Sequence, residues 1–201
     1  MKKTLKLIAS ALLVLSFAQA EAPKGDAIVL PTLEGKQLHI TGTENGLKID
    51  EYKGKIVFLE FWGTHCPPCR VSIPHYIDLM KKYKGKLAML AIEVQDTPKE
   101  QLKAYAAQKG INYDVVAYRD AGYFVEYIAR RAGWKGSIPF LMILDAEGNV
   151  VTMQVGLIPQ DALERVLDDL LSKKITPKAS ATPAPKTKAA PVSQTAPATQ
   201  K

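Results

Sequence analysis

The segment that most constrains the fold is an apolar run followed closely by two cysteines three positions apart. Residues 56–61 read IVFLEF and continue as WGTHCPPCR, in which Cys66 and Cys69 are the only two cysteines of the 201-residue sequence. A compact run rich in β-branched and aromatic residues predicts a strand buried on both faces. Residues 67–84 then carry apolar residues at helical spacing, with Pro67 in the first turn, where proline is tolerated. The sequence therefore places both sulfurs where a buried strand passes into a helix.

The rest of the chain alternates between strand and helix patterns. Residues 27–30 and 37–40 are expected to pair as a β-hairpin, and residues 41–46 to form a polar turn. After 56–61 we expect helix 67–84 with a kink at Pro74, strand 87–94, helix 98–109, strand 113–118, helix 122–131, strands 140–144 and 150–155, and helix 159–171. This order predicts an α/β domain built on a mixed sheet flanked by helices.

The two ends of the chain are expected to lie outside that domain. Residues 1–20 combine three lysines, an apolar run of about eleven residues and the tripeptide Ala18-Gln19-Ala20, which is the pattern of a cleaved signal peptide. The run is shorter than the roughly 20 residues that cross a bilayer, and an uncleaved N-terminal membrane anchor is the alternative. Residues 173–201 contain no acidic or aromatic residue, which predicts a disordered tail rich in Lys, Ala, Pro and Thr. One folded domain is thus expected over residues 21–172.

The net charge of +7 belongs to the two ends, which hold nine of the 27 basic residues. Residues 21–172 contain the other 18 together with all 20 acidic residues, so the domain is slightly acidic. A nucleic-acid partner is therefore not indicated. The tail could contact an anionic membrane surface, although its composition favours a soluble spacer.

Three roles other than redox chemistry fit the cysteine pair less well. A structural disulfide that closes so short a loop adds only about 2 kcal/mol, which matters little to a domain of this size. A zinc site needs two more ligands, and of the three histidines His65 abuts Cys66 too closely for a tetrahedral site. Haem attachment needs a histidine after the second cysteine, where this chain has Arg70. The pair therefore indicates thiol–disulfide exchange, for which we expect no metal and no cofactor.

The two sulfurs are predicted to have different tasks. Cys66 lies at the helix start, where backbone N–H groups and the helix dipole favour a thiolate by roughly 0.3–2 kcal/mol. We expect Cys66 to attack a client disulfide and Cys69, one turn later, to resolve the mixed disulfide. Pro67 and Pro68 remove two backbone donors and stiffen the intervening turn.

Two acids and one histidine are further candidates. Glu60 lies inside the buried apolar run, where a carboxyl group tends to stay protonated. It could accept the proton of Cys69 during resolution or could be a packing residue satisfied by a neighbour. Glu93, in a second predicted buried strand, could face the same site or be structural. His65 could place positive charge beside the Cys66 thiolate or merely cover it.

The run FWGTHCPPCR resembles the active-site motif of thioredoxins, W-[AG]-x-x-C-x-x-C-[KR]. The later segment Ser137-Ile138-Pro139-Phe140 fits the same family, and LPTLEGKQL and IDEYKGKIVFLEFWG resemble its TlpA/ResA branch. The resemblance covers residues 27–171. It implies a thioredoxin-like mixed β-sheet flanked by helices, with an added N-terminal β-hairpin.

The resemblance also implies roles for single residues. Glu60 matches the buried acid of thioredoxins, Pro139 would be the cis-proline that faces the disulfide, and the Ile138 backbone would pair with a substrate strand. The residues expected to contact a client are His65, Pro67, Pro68, Ile138 and Pro139. Three positions depart from the family pattern: His65 replaces the usual Trp, Ser72 replaces the active-site Glu of the ResA branch, and Ala91 replaces a lysine common in thioredoxins.

A periplasmic or otherwise exported reductant is the function that the resemblance implies. Its partners would be disulfide-bearing client proteins, possible examples being apocytochrome c and other envelope proteins, and a membrane electron donor. An oxidase or isomerase that introduces or reshuffles disulfides is the first alternative. A metal chaperone on the same fold is the second, but copper-delivering relatives use a C-x-x-x-C pair and a distal histidine, and no histidine follows His75 here.

Overall fold

The computed structural model of the protein describes residues 27–172. The predicted signal peptide, residues 1–20, and the predicted tail, residues 173–201, lie outside the described residues. Every helix within residues 27–172 is too short or too polar to cross a membrane.

Strands and helices alternate along most of the described part, as the sequence predicts. In chain order the elements are β1 (Ile28–Pro31), β2 (Gln37–Gly42), β3 (Leu47–Ile49), a 3₁₀ helix (Asp50–Tyr52), β4 (Ile56–Trp62), α1 (Pro67–Lys82), β5 (Leu87–Glu93), α2 (Lys99–Lys109), β6 (Asp114–Val116), α3 (Tyr118–Ala132), β7 (Phe140–Leu144), β8 (Val150–Val155) and α4 (Gln160–Leu171).

The strands form two sheets. The larger has the order β6-β5-β4-β7-β8, with β4 parallel to β5 and antiparallel to β7. Strand β6 is parallel to β5, and β8 is antiparallel to β7. The predicted mixed sheet is therefore confirmed, and β4, the strand that leads to the cysteines, lies at its centre.

The N-terminal sheet differs from the predicted β-hairpin, because a third strand pairs with β2. Strand β3 is antiparallel to β2, with Ile49 opposite Ile40. Residues 41–46, expected to be a turn only, include the end of β2, and the turn itself is closed by the N–H of Thr43 donating to the carbonyl of Gly46 at 2.9 Å. Strand β3 has three residues, which is too short for an alternating pattern to identify it from sequence.

Helix α3 also differs from its prediction, since it begins at Tyr118 and contains Gly122 instead of starting there. Strand β6 is correspondingly shorter than the expected 113–118. The buried face of α3 includes Ala121 and Phe124, so packing against the sheet requires a turn before Gly122. That packing outweighs the cost of about 1 kcal/mol for glycine inside a helix.

The larger sheet separates two apolar clusters, because side chains alternate across each strand. Val57, Leu59 and Phe61 of β4 belong to the cluster shared with α3 and the small sheet. Phe58 and Trp62 belong to the cluster shared with α1, α2 and α4. Alternation therefore places Glu60 on the face covered by α1.

Candidate active site

Three connections leave the larger sheet at the same edge. Phe61 at the end of β4 is opposite Phe140 at the start of β7, and Trp62 is opposite Glu93 at the end of β5. Because β4 and β5 are parallel and β7 is antiparallel, the chain segments after β4, after β5 and before β7 meet there. This edge brings together the cysteine segment, the segment after Glu93 and the segment that contains Pro139.

The cysteine pair begins α1. Cys66 is the N-cap residue with extended backbone, φ −97° and ψ 107°, and the N–H of Cys69 donates to Cys66 Sγ at 3.3 Å. Pro67 and Pro68 occupy the first two helical positions, where a backbone N–H would have no intrahelical acceptor. Cys66 and Cys69 are joined by a disulfide, with their Cα atoms 5.2 Å apart. The helix N-terminus therefore presents one donor, the N–H of Cys69, to the sulfur of Cys66.

The two sulfurs differ in exposure. Cys66 is 6% exposed and Cys69 is 1% exposed, while His65, Pro67 and Pro68 around them are exposed. A client that approaches this edge meets Cys66 before Cys69. This is the order that the predicted attacking and resolving roles require.

The peptide bond between Ile138 and Pro139 is cis. Pro139 is buried and Ile138 is half-buried, in contact with both apolar clusters. The carbonyl of Pro139 accepts the N–H of Gly156 at 2.8 Å, which ties this segment to the end of β8. The segment before β7 is thus held at the sheet edge from which the cysteines also leave.

The aromatic residue Trp134 supports the segment before Pro139. The Nε1–H of Trp134 donates to the carbonyl of Ser137 at 2.8 Å. The Trp134 ring stacks on Phe140, with centroids 5.1 Å apart, and lies 4.8 Å from the ring of Phe61. Such contacts fix a ring firmly, so Trp134 is a rigid anchor for the residues that precede Pro139.

Glu60 is almost fully buried, at 1% exposure, and its Oε1 atom has no hydrogen-bond partner among the described residues. It lies opposite Ala91 of β5 and Leu141 of β7, on the face where Cys69 and Tyr76 also pack. Burial raises the pKa of Glu60 to about 8, and the Tyr76 hydroxyl opposes that rise in part. Glu60 therefore holds its proton at pH values at which an exposed carboxyl group is ionised.

Two tyrosines beside Glu60 were not identified from the sequence as part of the site. Burial, and after it the charge of Glu60, raises the pKa of Tyr76 well above its ordinary value. The pKa of Tyr113 is raised for the same two reasons, in the same order. From the sequence, Tyr76 was assigned only to the apolar face of α1. Its helical spacing is the same whether or not its hydroxyl has a hydrogen-bond partner. Only packing shows that two phenols lie near Glu60.

Two of the three positions that depart from the family pattern, Ala91 and Ser72, carry small side chains. Ala91 is fully buried opposite Glu60, so the lysine found there in many thioredoxins is replaced by a methyl group. Ser72 is buried in α1, and its hydroxyl donates to the carbonyl of Pro68 at 3.3 Å. The carboxyl group of Glu60 thus has phenols near it where those relatives have a cation.

Glu93, the last residue of β5, holds the turn that follows the strand. Its side chain is fully buried, and its oxygens accept the N–H of Gln95 at 3.0 Å, the N–H of Thr97 at 3.1 Å and the Thr97 hydroxyl at 2.8 Å. The structural alternative for Glu93 thus has clear support, since its carboxylate holds a turn of its own chain.

The same segment contacts His65. The backbone N–H of His65 donates to Gln95 Oε1 at 2.8 Å, and the Nδ1 atom lies 3.0 Å from Thr64 Oγ1. A Cβ atom at Gly63 would lie 2.2 Å from the Gln95 side chain, so any larger residue there would displace the group that accepts the His65 N–H. Thr64, Gln95 and Thr97 were missed in the sequence, since threonine and glutamine in loops carry no signal of their own.

Comparison with known proteins identifies a family and several relatives to which this chain is similar. A model of the AhpC/TSA family matches residues 28–153. The chain is 31% identical over 158 residues to the thiol-disulfide oxidoreductase ResA of Bacillus thuringiensis (strain Al Hakam), and the match covers 78% of each protein. It is 30% identical over 131 residues to the thioredoxin-like protein YneN of Bacillus subtilis (strain 168), covering 64% of this chain and 72% of YneN.

Two solved structures are also similar to this chain. A thiol:disulfide interchange protein of the thioredoxin family from Chlorobium tepidum TLS is 26% identical, with a TM-score of 0.57, and the match covers 77% of this chain and 99% of that one. StoA from Bacillus subtilis superposes with a TM-score of 0.53 at 16% identity, over 71% of this chain and 98% of StoA, which supports the fold alone.

Proposed function

We propose that this chain, which belongs to the AhpC/TSA family and is a thioredoxin-like thiol–disulfide oxidoreductase, acts as an exported reductant of client disulfides. The resemblance to the ResA branch of the thioredoxin family is confirmed by the comparisons. The observation that carries the proposal is the position of Cys66 as the N-cap of α1, with the N–H of Cys69 on its sulfur.

The reaction requires only the two cysteines and a client. The Cys66 thiolate attacks one sulfur of the client disulfide; that bond breaks, a Cys66–client disulfide forms, and the other client sulfur leaves as a thiolate and takes a proton. Cys69, once deprotonated, attacks Cys66 and releases the second client sulfur. Two electrons pass to the client, and the Cys66–Cys69 disulfide remains for an external dithiol donor to reduce.

Glu60 is the proposed proton acceptor for Cys69. It shares a sheet face with Cys69, beneath α1, and its pKa of about 8 lies close to that of an ordinary thiol. The ionised form of Glu60, which is the minority near neutral pH, can therefore take the proton of Cys69 with little driving force in either direction, as general base catalysis requires.

The client is proposed to lie along the segment before β7. Ile138 is half-buried and Pro139 has no N–H, so the backbone of Ile138 can pair with an extended client segment whose disulfide lies over Cys66. The exposed side chains of His65, Pro67 and Pro68 would form the other side of that contact.

Export rests on the N-terminal sequence. The lysines, apolar run and Ala18-Gln19-Ala20 of residues 1–20 have the pattern of a cleaved signal peptide. An exported reductant works in an oxidising compartment and needs electrons from the cytoplasmic side, so a membrane dithiol protein is the proposed donor.

The reduction potential of the mature protein tests the direction of electron flow. Equilibration with thiol–disulfide buffers of known potential, followed by thiol alkylation and mass spectrometry, measures the oxidised fraction. A potential of about −270 mV supports a reductant, whereas one of about −120 mV would make the protein an oxidant and overturn the proposal. Reduction of a disulfide-bonded apocytochrome c peptide then tests one client class.

A further inference from the structure

We infer that Glu93 is a positioning residue: through the hydroxyls of Thr97 and Thr64 it holds the His65 ring with its proton on Nδ1 and leaves Nε2, on the residue that precedes Cys66, as the proton-accepting nitrogen. The inference rests on the proposed role of Cys66 as the attacking sulfur. It goes beyond that role, because it assigns a function to a buried acid that the exchange reaction itself does not use.

The first step is the orientation of the Thr97 hydroxyl. Glu93 is fully buried, and its carboxylate accepts two backbone N–H groups at 3.0 and 3.1 Å. A carboxylate only accepts hydrogen bonds, so the Thr97 hydroxyl, 2.8 Å away, must direct its single hydrogen at Glu93.

The second step assigns the hydrogen of the Thr64 hydroxyl. Its Oγ1 atom lies 3.0 Å from Thr97 Oγ1, whose hydrogen is already used. Thr64 must therefore be the donor in this bond, and Thr97 the acceptor. The Thr64 oxygen is left with lone pairs only.

The third step assigns the ring. His65 Nδ1 lies 3.0 Å from Thr64 Oγ1, and two acceptors cannot share a hydrogen bond. The ring must therefore carry a proton on Nδ1, and a neutral ring then has a bare Nε2. One buried carboxylate thus determines the tautomer of an exposed imidazole through two hydroxyls.

The main chain holds His65 in the same segment. Its N–H donates to Gln95 Oε1 at 2.8 Å, and the N–H of Gln95 is itself bound by Glu93. The two connections leave the backbone and the ring of His65 little freedom, although the side chain is exposed.

The chemical consequence concerns the proton of Cys66. When the thiol is deprotonated, its S–H bond breaks and an N–H bond forms at His65 Nε2; no electrons are transferred. The imidazolium so formed lies next in sequence to the thiolate and stabilises it by charge. In the opposite tautomer Nε2 is already protonated, and the one free lone pair is on Nδ1, which faces Thr64.

Histidine nitrogen NMR tests the tautomer directly. Two-bond ¹H–¹⁵N spectra of the reduced mature protein, recorded about two units above the usual imidazole pKa, distinguish the two neutral forms. We expect His65 to be protonated on Nδ1 in the wild type, to change to the Nε2–H form in Thr97→Val, and to keep the Nδ1–H form in Thr97→Ser. Thr152→Val, at an exposed position of β8, is the matched control.

The reactivity of Cys66 is the second readout. Its alkylation rate in the reduced protein should fall about threefold to tenfold in Thr97→Val, the effect of losing one hydrogen bond, and recover in Thr97→Ser. If Thr97→Val does not fold, Thr64→Val breaks the same series of hydrogen bonds at the next hydroxyl. An Nε2–H ring in the wild type, or an unchanged ring and rate in both valine variants, would overturn the inference.

The two proposals fail separately. A wild-type protein that has the Nδ1–H tautomer but reduces no client disulfide would contradict the proposed function. A wild-type protein that reduces clients, but whose His65 tautomer is the same in Thr97→Val, would contradict only the positioning role of Glu93.

Discussion

The backbone N–H of Cys69 donates to the Sγ atom of Cys66 over 3.3 Å, so the first turn of α1 solvates the sulfur that begins it. The same turn buries Cys69, which is 1% exposed. The helix therefore treats two chemically identical side chains differently: it supplies a donor to Cys66 and shields Cys69 from the client. Several measurable differences between the two cysteines are expected from this asymmetry.

Replacing each cysteine in turn should separate attack from resolution. Cys69→Ser should accumulate a mixed disulfide with a model client, because Cys66 can still attack and no second sulfur releases the adduct. Cys66→Ser should accumulate little, because the remaining thiol is buried. Non-reducing electrophoresis and mass spectrometry measure the adduct, and equal trapping by both variants would show that the roles are wrongly assigned.

Glu60→Gln should slow resolution more than attack. The amide cannot accept a proton from Cys69, and we expect the resolution rate to fall roughly tenfold or more, while the rate of the first exchange changes little. Stopped-flow mixing of reduced protein with a disulfide peptide resolves the two phases. Glu100→Gln, at an exposed position of α2, is the matched control, and a resolution rate equal to that control would make Glu60 a packing residue.

The stability of the oxidised protein should decrease as pH rises, because of Glu60. Burial raises its pKa from 4.5 to about 8. Below 4.5 the folded and unfolded states both hold the proton; between 4.5 and about 8 only the folded state does, so stability is lost across that window and stays low above it. The loss should be on the order of 5 kcal/mol.

Urea unfolding at several pH values across this window measures the effect. Glu60→Gln cannot titrate, so its free energy of unfolding should change much less between the two ends of the window than that of the wild type. Parallel profiles for the two proteins would mean that Glu60 does not carry the pH dependence.

Trp134→Phe should weaken client binding without removing the aromatic contacts. The variant keeps a ring against Phe140 but loses the donor to Ser137, at a cost of about 1 kcal/mol in unfolding free energy. With the segment before Pro139 less firmly held, we expect KM for a disulfide peptide to rise a few-fold and kcat to change less. Tyr123→Phe, on the exposed face of α3, is the control, and a KM unchanged from that control would contradict the anchoring role.

The cysteine segment was predictable because its structure is local. A buried strand, a glycine, two cysteines and two prolines within about fourteen residues leave few alternatives to a strand–loop–helix junction with sulfurs at the helix start. Strand β3 and the first turn of α3 were not predictable in this way, because the pairing with β2 and the packing of Ala121 and Phe124 decide them.

The sequence by itself determined that the two cysteines begin a helix and that Glu60 is buried, since strand alternation and helix capping depend on neighbours along the chain. Only the tertiary structure decided what surrounds those atoms: phenols near Glu60, and Glu93 connected through two threonines to His65. Hydrogen bonds act over about 3 Å, so a partner from another strand or loop becomes visible only when the sheet brings the segments after β4 and β5 to one edge.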